Sequence, residues 1–223
     1  MTLALDHLVL AARTLDEGVA WCEATLGLRP EAGGQHVFMG THNRVFGIAS
    51  SAFPRSYFEI IAINPNLPAP QRARWFGLDE PALQRALAGG PRLVSWGAGC
   101  ADINATHAAM FAAGVDRGRV EAAERATPHG LLRWKISLRA DGRRLLRGAA
   151  PALLEWGDVH PTDSMPGSGI ELQTMRLGAW PDSLAPLLPP QIERDASPGA
   201  PPISVVLSCP RGLVTLHSHS TEA

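Results

Sequence analysis

The sequence predicts an α+β fold built from two βαβββ modules, and two observations support this prediction. A strand followed by a helix at residues 4–26 has a counterpart at residues 92–113. Each half then closes on a short apolar strand that carries one carboxylate near its centre, Glu59 in the first half and Glu155 in the second. Because internal repetition constrains a whole fold, two similar halves predict a cleft shared between them.

The first module begins with a strand over residues 4–10 and a helix over residues 14–26. Thr14 and Glu17 form a capping box, in which a hydroxyl and a carboxylate satisfy the first free N–H groups of the helix. Gly27 stands where a left-handed residue would end it.

Side-chain alternation along the first strand predicts where His7 points. If Leu8 and Leu10 pack on the helix, His7 must face the opposite side of the sheet. A hairpin is predicted over residues 33–48, and the strand that follows is apolar on both faces except for Glu59. A buried charge of this kind is costly unless it is paired, protonated or bound to a metal.

The second module predicts the same order of elements, with strands ending at residues 151–156. A proline-rich connector with one short helix joins the modules, and a strand, a short helix and a hairpin follow them. We therefore expect four segments: a first module at residues 1–64, a connector at 65–91, a second module at 92–161 and a C-terminal extension at 162–223.

The composition excludes several classes of function. With 45% hydrophobic and 18% charged residues the chain is typical of globular proteins, and a net charge of −1 offers no footprint for nucleic acid or an anionic membrane. No stretch is long and apolar enough to cross a membrane, and no basic start precedes an apolar export signal. Three widely spaced cysteines favour free thiols in a cytoplasmic protein.

Several short motifs resemble the vicinal oxygen chelate superfamily, and more closely its glyoxalase-like domain branch. The resemblance covers roughly residues 3–165 and implies paired modules that form a curved mixed sheet around a cavity, followed by a C-terminal extension. It also implies a small-molecule ligand and is compatible with a homodimer. The motifs are Leu5-Asp6-His7-Leu8-Val9, Gly33-Gly34-Gln35-His36, Gly40-Thr41-His42-Asn43, Tyr57-Phe58-Glu59-Ile60-Ile61 and Leu154-Glu155-Trp156 with His160-Pro161.

By position, the resemblance implies a metal site formed by His7, Glu59 and Glu155. One imidazole and two carboxylates suit a divalent ion such as Mn²⁺, Fe²⁺, Zn²⁺, Ni²⁺ or Mg²⁺, and either carboxylate could also act as the catalytic base. The fourth ligand position falls near Ser95, which is not a ligand type expected there. The alternative is that the carboxylates pair with arginines and His7 forms a hydrogen bond within the sheet.

Four further residues are candidates for binding the substrate. Arg44 could bind a carboxylate or phosphate through two N–H groups, and Asn43 could donate to a carbonyl. His36 lies close to them in the predicted hairpin, and His160 follows the last strand of the second module at the predicted cavity rim. A purely local role, in a turn or a loop, is the alternative for Asn43 and His160.

Two functions from different classes remain open at this stage. The first is a metal-assisted lyase, isomerase or dioxygenase that stabilises an oxyanion on a small oxygenated molecule. The second is a non-catalytic binding protein that sequesters a small molecule in the same cavity without metal. The missing fourth ligand favours the second, whereas three polar groups in apolar strands favour the first.

Overall fold

Two β-sheets organise the computed structural model, which describes residues 3–30, 33–127 and 130–218. The first half contributes β1 (Ala4–Ala11), α1 (Leu15–Leu26), β2 (Gln35–His36), β3 (Thr41–Gly47) and β4 (Tyr57–Ile63). The connector holds α2 (Pro81–Leu87), and the second half contributes β5 (Arg92–Gly99), α3 (Ile103–Ala112), β6 (Arg119–Thr127), β7 (Gly130–Leu138) and β8 (Ala152–Trp156). The extension contains β9 (Glu171–Leu177), β10 (Ile192–Arg194), β11 (Ile203–Cys209) and β12 (Gly212–His217).

The larger sheet joins both halves in the order β2-β3-β4-β1-β5-β8-β7-β6. The two first strands, β1 and β5, pair antiparallel at its centre, and each half adds its last strand in parallel to its first. The sheet is strongly curled into a half-barrel, so its two edges, β2 and β6, face each other across a cavity. The predicted α+β fold of paired modules around a curved mixed sheet is confirmed.

The two faces of this sheet have different neighbours. Leu8 and Leu10 are buried in a core that also includes side chains of α1 and α3. Val9 and Ala11 belong to a second cluster on the concave face. His7 lines the cavity on that concave face, as the alternation along the strand predicts.

A β-bulge interrupts the alternation at the start of β1. Leu5 pairs with Ala98 and His7 pairs with Gly97, so Asp6 is an extra residue opposite no single partner. A bulge turns its residues out of strict alternation. Leu5 therefore lies with Leu8 and Leu10 in the core between the sheet and the helices, the helix-side core. The carboxylate of Asp6 bonds to the ring of His7.

The extension forms a second, four-stranded sheet with the order β10-β9-β11-β12. The strand and the hairpin predicted there are present, whereas the short β10 was not predicted. Its apolar residues join the helix-side core, and Leu172 donates its N–H to the carbonyl of Ile48 at 3.0 Å. The extension thus supports the convex side of the first half. Residues 219–223 lie outside the described part of the chain.

The first predicted hairpin differs from the structure in one arm. Only Gln35 and His36 pair with β3, and residues 37–39 form a turn of 3₁₀ helix that ends at Gly40 with φ 59°. Within the described residues, no helix is long and apolar enough to span a membrane. Cys22, Cys100 and Cys209 are free thiols, as predicted.

Candidate functional site

A narrow cavity lies on the concave face of the half-barrel. Its free volume is about 50 Å³, and no described residue after Pro161 lines it. Aromatic rings form much of the wall: Tyr57, Trp75, Phe76, Trp134 and Trp156. Polar groups from the first half and one arginine from β6 complete it: His7, His36, Asn43, Glu59 and Arg125. An apolar pocket with a few convergent polar groups is the usual form of a small-molecule site.

Glu59 is the buried carboxylate of this cavity. The residue is 6% exposed, and its Oε1 accepts a hydrogen bond of 2.6 Å from the Nδ2 of Asn43. The orientation of that amide is fixed, because Asn43 Oδ1 accepts the backbone N–H of Gly34 at 2.7 Å. Asn43 therefore holds one oxygen of Glu59 and leaves the other available.

His7 stands beside Glu59 with one ring nitrogen free of close partners. Its Nδ1 lies 2.7 Å from Asp6 Oδ1, whereas its Nε2 lies 3.7 Å from Glu59 Oε2, beyond normal hydrogen-bond distance. The ring stacks on Tyr57 with centroids 4.7 Å apart. Gly97 leaves the space that the ring needs, since a Cβ there would lie 2.4 Å from His7 Cε1. Both His7 and Glu59 line the cavity, so a molecule bound there can contact His7 Nε2 and Glu59 Oε2 together.

Asp6 organises the groups behind His7. Its Oδ2 accepts the indole N–H of Trp156 at 2.6 Å and lies 3.1 Å from the Nε2 of His160. Burial raises the pKa of Asp6, but the hydrogen bonds with His160 and His7 outweigh it and hold the pKa well below its usual value. An ionised Asp6 can only accept, so His7 donates its Nδ1 proton to it.

The same pair changes the protonation of His7. Burial lowers the pKa of His7, whereas the hydrogen bond to Asp6 and the charges of Asp6 and Glu59 raise it, and the net shift is upward. Burial, followed by the charges of Asp6 and Glu59, raises the pKa of Tyr57 well above its ordinary value. The site thus favours a protonated imidazole and a neutral phenol.

His160 lies behind the cavity wall and acts on it through Asp6. The backbone N–H of Thr162 donates to His160 Nδ1 at 3.2 Å, so the ring proton is on Nε2 and points to Asp6. The His160 ring also meets Trp156 edge-on, with centroids 5.4 Å apart. His160 was predicted to contact a ligand. In the structure it does not line the cavity, and it contacts and positions Asp6 instead.

His36 does line the cavity, and it is uncharged. Burial, followed by the charges of Arg125, His7 and His42, lowers the pKa of His36 to about 3. The ring meets Trp75 edge-on at 4.9 Å, and Nδ1 lies 3.2 Å from the hydroxyl of Thr41. Any hydrogen bond that His36 offers a ligand is one of a neutral imidazole.

Two predicted site residues are on the other face of the sheet. Glu155 Oε1 accepts from Lys135 at 2.5 Å, and Glu155 Oε2 accepts the N–H of Ile103 at the start of α3 at 2.8 Å. Its neighbours in β8, Leu154 and Trp156, point into the cavity instead. By the same alternation Arg44 faces away from its cavity-lining neighbours in β3.

This arrangement does not fit the predicted metal site. His7 and Glu59 come together, but Glu155 is held by Lys135 and α3, and Ser95 offers only a hydroxyl at the fourth position. Among the described residues, no group of three or more histidine, cysteine or acidic side chains is arranged to hold an ion.

Some site residues were missed by the sequence analysis. Asp6 was visible in the Leu-Asp-His motif, but strict alternation assigns it to the helix face, and only the bulge turns it inward. Arg125 lies near the end of β6, a strand in which no site residue was predicted. Trp156 follows Glu155 in β8, and its ring lines the cavity on the opposite face of the sheet.

Three solved structures are similar to this chain, and the first of them agrees with the fold. A hypothetical protein from Staphylococcus aureus aligns with 98% of this chain and 87% of its own at 13% identity, with a TM-score of 0.52. Methylmalonyl-CoA epimerase from Streptomyces coelicolor, solved with 2-nitronate-propionyl-CoA, aligns at 22% identity and a TM-score of 0.42, covering 71% of this chain and 98% of that chain. The enzyme from Mycobacterium tuberculosis aligns at 14% identity and a TM-score of 0.39, covering 72% and 91%.

The sequence comparisons decide the family. No curated protein matches the chain significantly. The model of the family described as "Glyoxalase-like domain" matches residues 5–190, which include every element from β1 to α3, the rest of the large sheet and β9. The resemblance found in the sequence is thereby confirmed, and the chain belongs to the glyoxalase-like domain family.

Proposed function

We propose that this protein is an isomerase or lyase that binds a small oxygenated molecule in the cavity and moves a proton on it. The observation that carries the proposal is the pair formed by Glu59 and His7. A buried carboxylate and an imidazole line the same cavity, and Glu59 Oε2 lies 3.7 Å from His7 Nε2. A paired acid and base at a cavity wall are what proton transfer at carbon requires.

Glu59 would serve as the base. Asn43 fixes one carboxylate oxygen, so Oε2 has a defined direction toward the bound molecule. Aromatic side chains surround the site and separate it from bulk water. The substrate would carry a C–H bond next to a carbonyl, because only such a hydrogen is acidic enough for this base.

His7 would serve as the acid. Its Nδ1–H is held by Asp6, and in the protonated ring Nε2–H faces the cavity. As Glu59 takes the proton from carbon, the electron pair of the broken C–H bond forms the C=C bond of an enol. The carbonyl oxygen receives the proton of His7 Nε2. Reversal of these steps on the other face, or at the neighbouring carbon, gives the isomer with no change in oxidation state.

The alternative is a non-catalytic binding protein. The aromatic lining favours it, because Trp75, Trp134 and Trp156 offer flat apolar contacts to a planar molecule. In that case Glu59 and Asn43 would only orient the ligand by hydrogen bonds.

Deuterium exchange separates the two functions. The protein would be incubated in D₂O with α-hydroxyketones, α-ketoaldehydes and 1,3-dicarbonyl compounds, and loss of the C–H signal would be followed by NMR. We expect exchange of at least one compound, reduced about 10²- to 10⁴-fold in Glu59→Gln, the usual contribution of a general base.

Glu171→Gln is the matched control, since Glu171 is an exposed carboxylate of β9 outside the cavity. It should exchange at the wild-type rate. Full exchange in Glu59→Gln would contradict the proposal. Saturation-transfer signals from a bound compound that never exchanges would favour the binding protein.

A further inference from the structure

We propose that Arg125 is the receptor for a carboxylate group of the ligand. No other arginine or lysine is among the residues described as lining the cavity. The proposed function enters this inference only where the reacting carbon of the ligand is placed at Glu59. That the ligand carries an anionic group is inferred from Arg125 alone.

Two nitrogens of the Arg125 guanidinium are buried without a partner, while the residue as a whole is partly exposed. Its Nε and Nη1 are inaccessible to solvent and have no hydrogen-bond partner among the described residues. A buried cation with unused donors is unfavourable, and proteins normally pair it with an anion. Glu59 is too far away to supply that anion, since no ion pair within 4.0 Å joins the two in the described structure. The missing partner is therefore expected to come from the ligand.

Gly34 provides room for this guanidinium. A Cβ at Gly34 would lie 1.6 Å from Arg125 Nη1, so any side chain there would occupy the place of the guanidinium. Gly34 precedes β2 at one edge of the curled sheet, and Arg125 comes from β6 at the other edge. The arginine thus lies where the two edges of the half-barrel approach each other.

The charges around the cavity separate into two ends. His36 is neutral at physiological pH, since its pKa is about 3, so it does not compete for an anion. Glu59 and Asp6 supply negative charge at the centre of the sheet, and Arg125 supplies positive charge at its edge. An anionic ligand would therefore place its carboxylate at Arg125 and its neutral, proton-donating carbon at Glu59.

The shape of the donor favours a carboxylate in particular. A guanidinium presents parallel N–H groups that match the two oxygens of a carboxylate. The ligand class is then a small carbonyl compound that also carries a carboxylate.

Ligand-observed NMR titration with matched pairs of acids and amides tests this inference. Suitable probes are acetate and acetamide, benzoate and benzamide, and mandelate and mandelamide. For at least one pair we expect the acid to bind about ten- to hundredfold more tightly than its amide, as charge-assisted hydrogen bonds imply. This preference should disappear in Arg125→Met and be partly kept in Arg125→Lys.

Arg133→Met is the matched control, because it removes one charge from an exposed arginine of β7 that pairs with Glu124. It should keep the preference for the acid. A second readout needs no variant: the ¹⁵N–H signal of Arg125 Nε should shift when the acid binds to the wild-type protein.

Equal binding of acids and amides, a preference that persists in Arg125→Met, or an unmoved Arg125 signal would each overturn the inference. These outcomes are separate from the fate of the proposed function. Amide binding together with Glu59-dependent deuterium exchange would leave the proton-transfer function standing. Acid binding at Arg125 without any exchange would sustain the receptor and overturn the enzyme.

Discussion

The two halves of the large sheet place similar carboxylates in opposite environments. Glu59 in β4 is 6% exposed and faces the cavity beside His7, whereas Glu155 in β8 faces α3 and pairs with Lys135. In β4 the cavity-facing neighbour of Glu59 is Tyr57, and in β8 the cavity-facing residues are Leu154 and Trp156. Successive residues of a strand point to opposite faces of the sheet. A shift of one residue therefore explains why Glu59 faces the cavity and Glu155 faces α3.

The comparison shows that the repeat of topology is not a repeat of chemistry. The first half supplies the polar network of Asp6, His7, Asn43 and Glu59, whereas the second half supplies mainly apolar and aromatic side chains and one charged group, Arg125. Trp156 connects the two, since its indole N–H donates to Asp6. Four variants can break or sharpen this division.

Removing the charge of Asp6 should have the largest effect. Asp6→Asn removes the charge and replaces one of the two buried accepting oxygens by an NH₂ donor, so we expect a loss of about 3 kcal/mol in the free energy of unfolding. Urea denaturation measures it. Asp102→Asn, at the exposed N-cap of α3 in the second half, should cost less than about 0.5 kcal/mol because asparagine caps equally well. Equal losses would contradict the division.

Filling the space beside His7 should have the next largest effect. In Gly97→Ala the new methyl group meets His7 Cε1 at 2.4 Å and Leu154 Cδ1 at 2.8 Å, so we expect about 1–3 kcal/mol of destabilisation together with loss of deuterium exchange. Gly99→Ala is the control on the same strand, because its methyl group would meet Asp6 Oδ2 at an ordinary 3.6 Å. Thermal denaturation and exchange in D₂O measure both effects. Unchanged exchange in Gly97→Ala would argue against His7 as the acid.

The pH dependence of stability should report the protonation of His7. The folded pKa of His7 is raised above its ordinary value of 6.5. Its charged form therefore contributes stability that is fully present below about pH 6.5 and is lost as the pH rises through the folded pKa. The difference in unfolding free energy between wild type and His7→Gln should shrink over that range.

The exposed His217 gives the control for the loss of a histidine, and His217→Gln should change the free energy of unfolding by less than about 0.5 kcal/mol. A wild-type advantage over His7→Gln that grows with rising pH would reverse the predicted sign.

The smallest effect is expected for Glu155→Gln. Its ion pair with Lys135 is screened by solvent, since the lysine side chain is 46% exposed, so we expect about 1 kcal/mol or less. Deuterium exchange should remain at the wild-type rate. A loss of exchange as large as that of Glu59→Gln would restore Glu155 to the site.

Much of the fold could be predicted from the sequence, because local signals agreed with the tertiary structure. Thr14 caps α1 and the left-handed Gly27 ends it as predicted, with Gly27 at φ 76°. The second half of the predicted capping box is absent, because the carboxylate of Glu17 pairs with Arg13. The apolar strand that carries Glu59 was predicted after the first hairpin, and it is β4 (Tyr57–Ile63). These signals depend on neighbouring residues only, and packing in the core did not change the secondary structure that they predict.

The site was harder to predict, because it depends on the face of the sheet to which each strand residue points and on contacts between residues distant in sequence. His7, His36, Asn43 and Glu59 do line the cavity. Glu155 and Arg44 do not, since each alternates with neighbours that face inward. Asp6 needed a bulge, and Arg125 needed the curl of the sheet that brings its strand opposite Gly34. No local pattern encodes either feature.

The position of β11 has a consequence for how the chain is made. Its residues Val205 and Leu207 lie in the same core as Leu8 and Leu10 of β1, and the turn after it contacts the end of α1 at Gly27. During synthesis the first half therefore leaves the ribosome with part of its convex face uncovered. That face is covered only after β11 and the following turn emerge. Truncation before β11 should therefore leave a nascent chain dependent on chaperones.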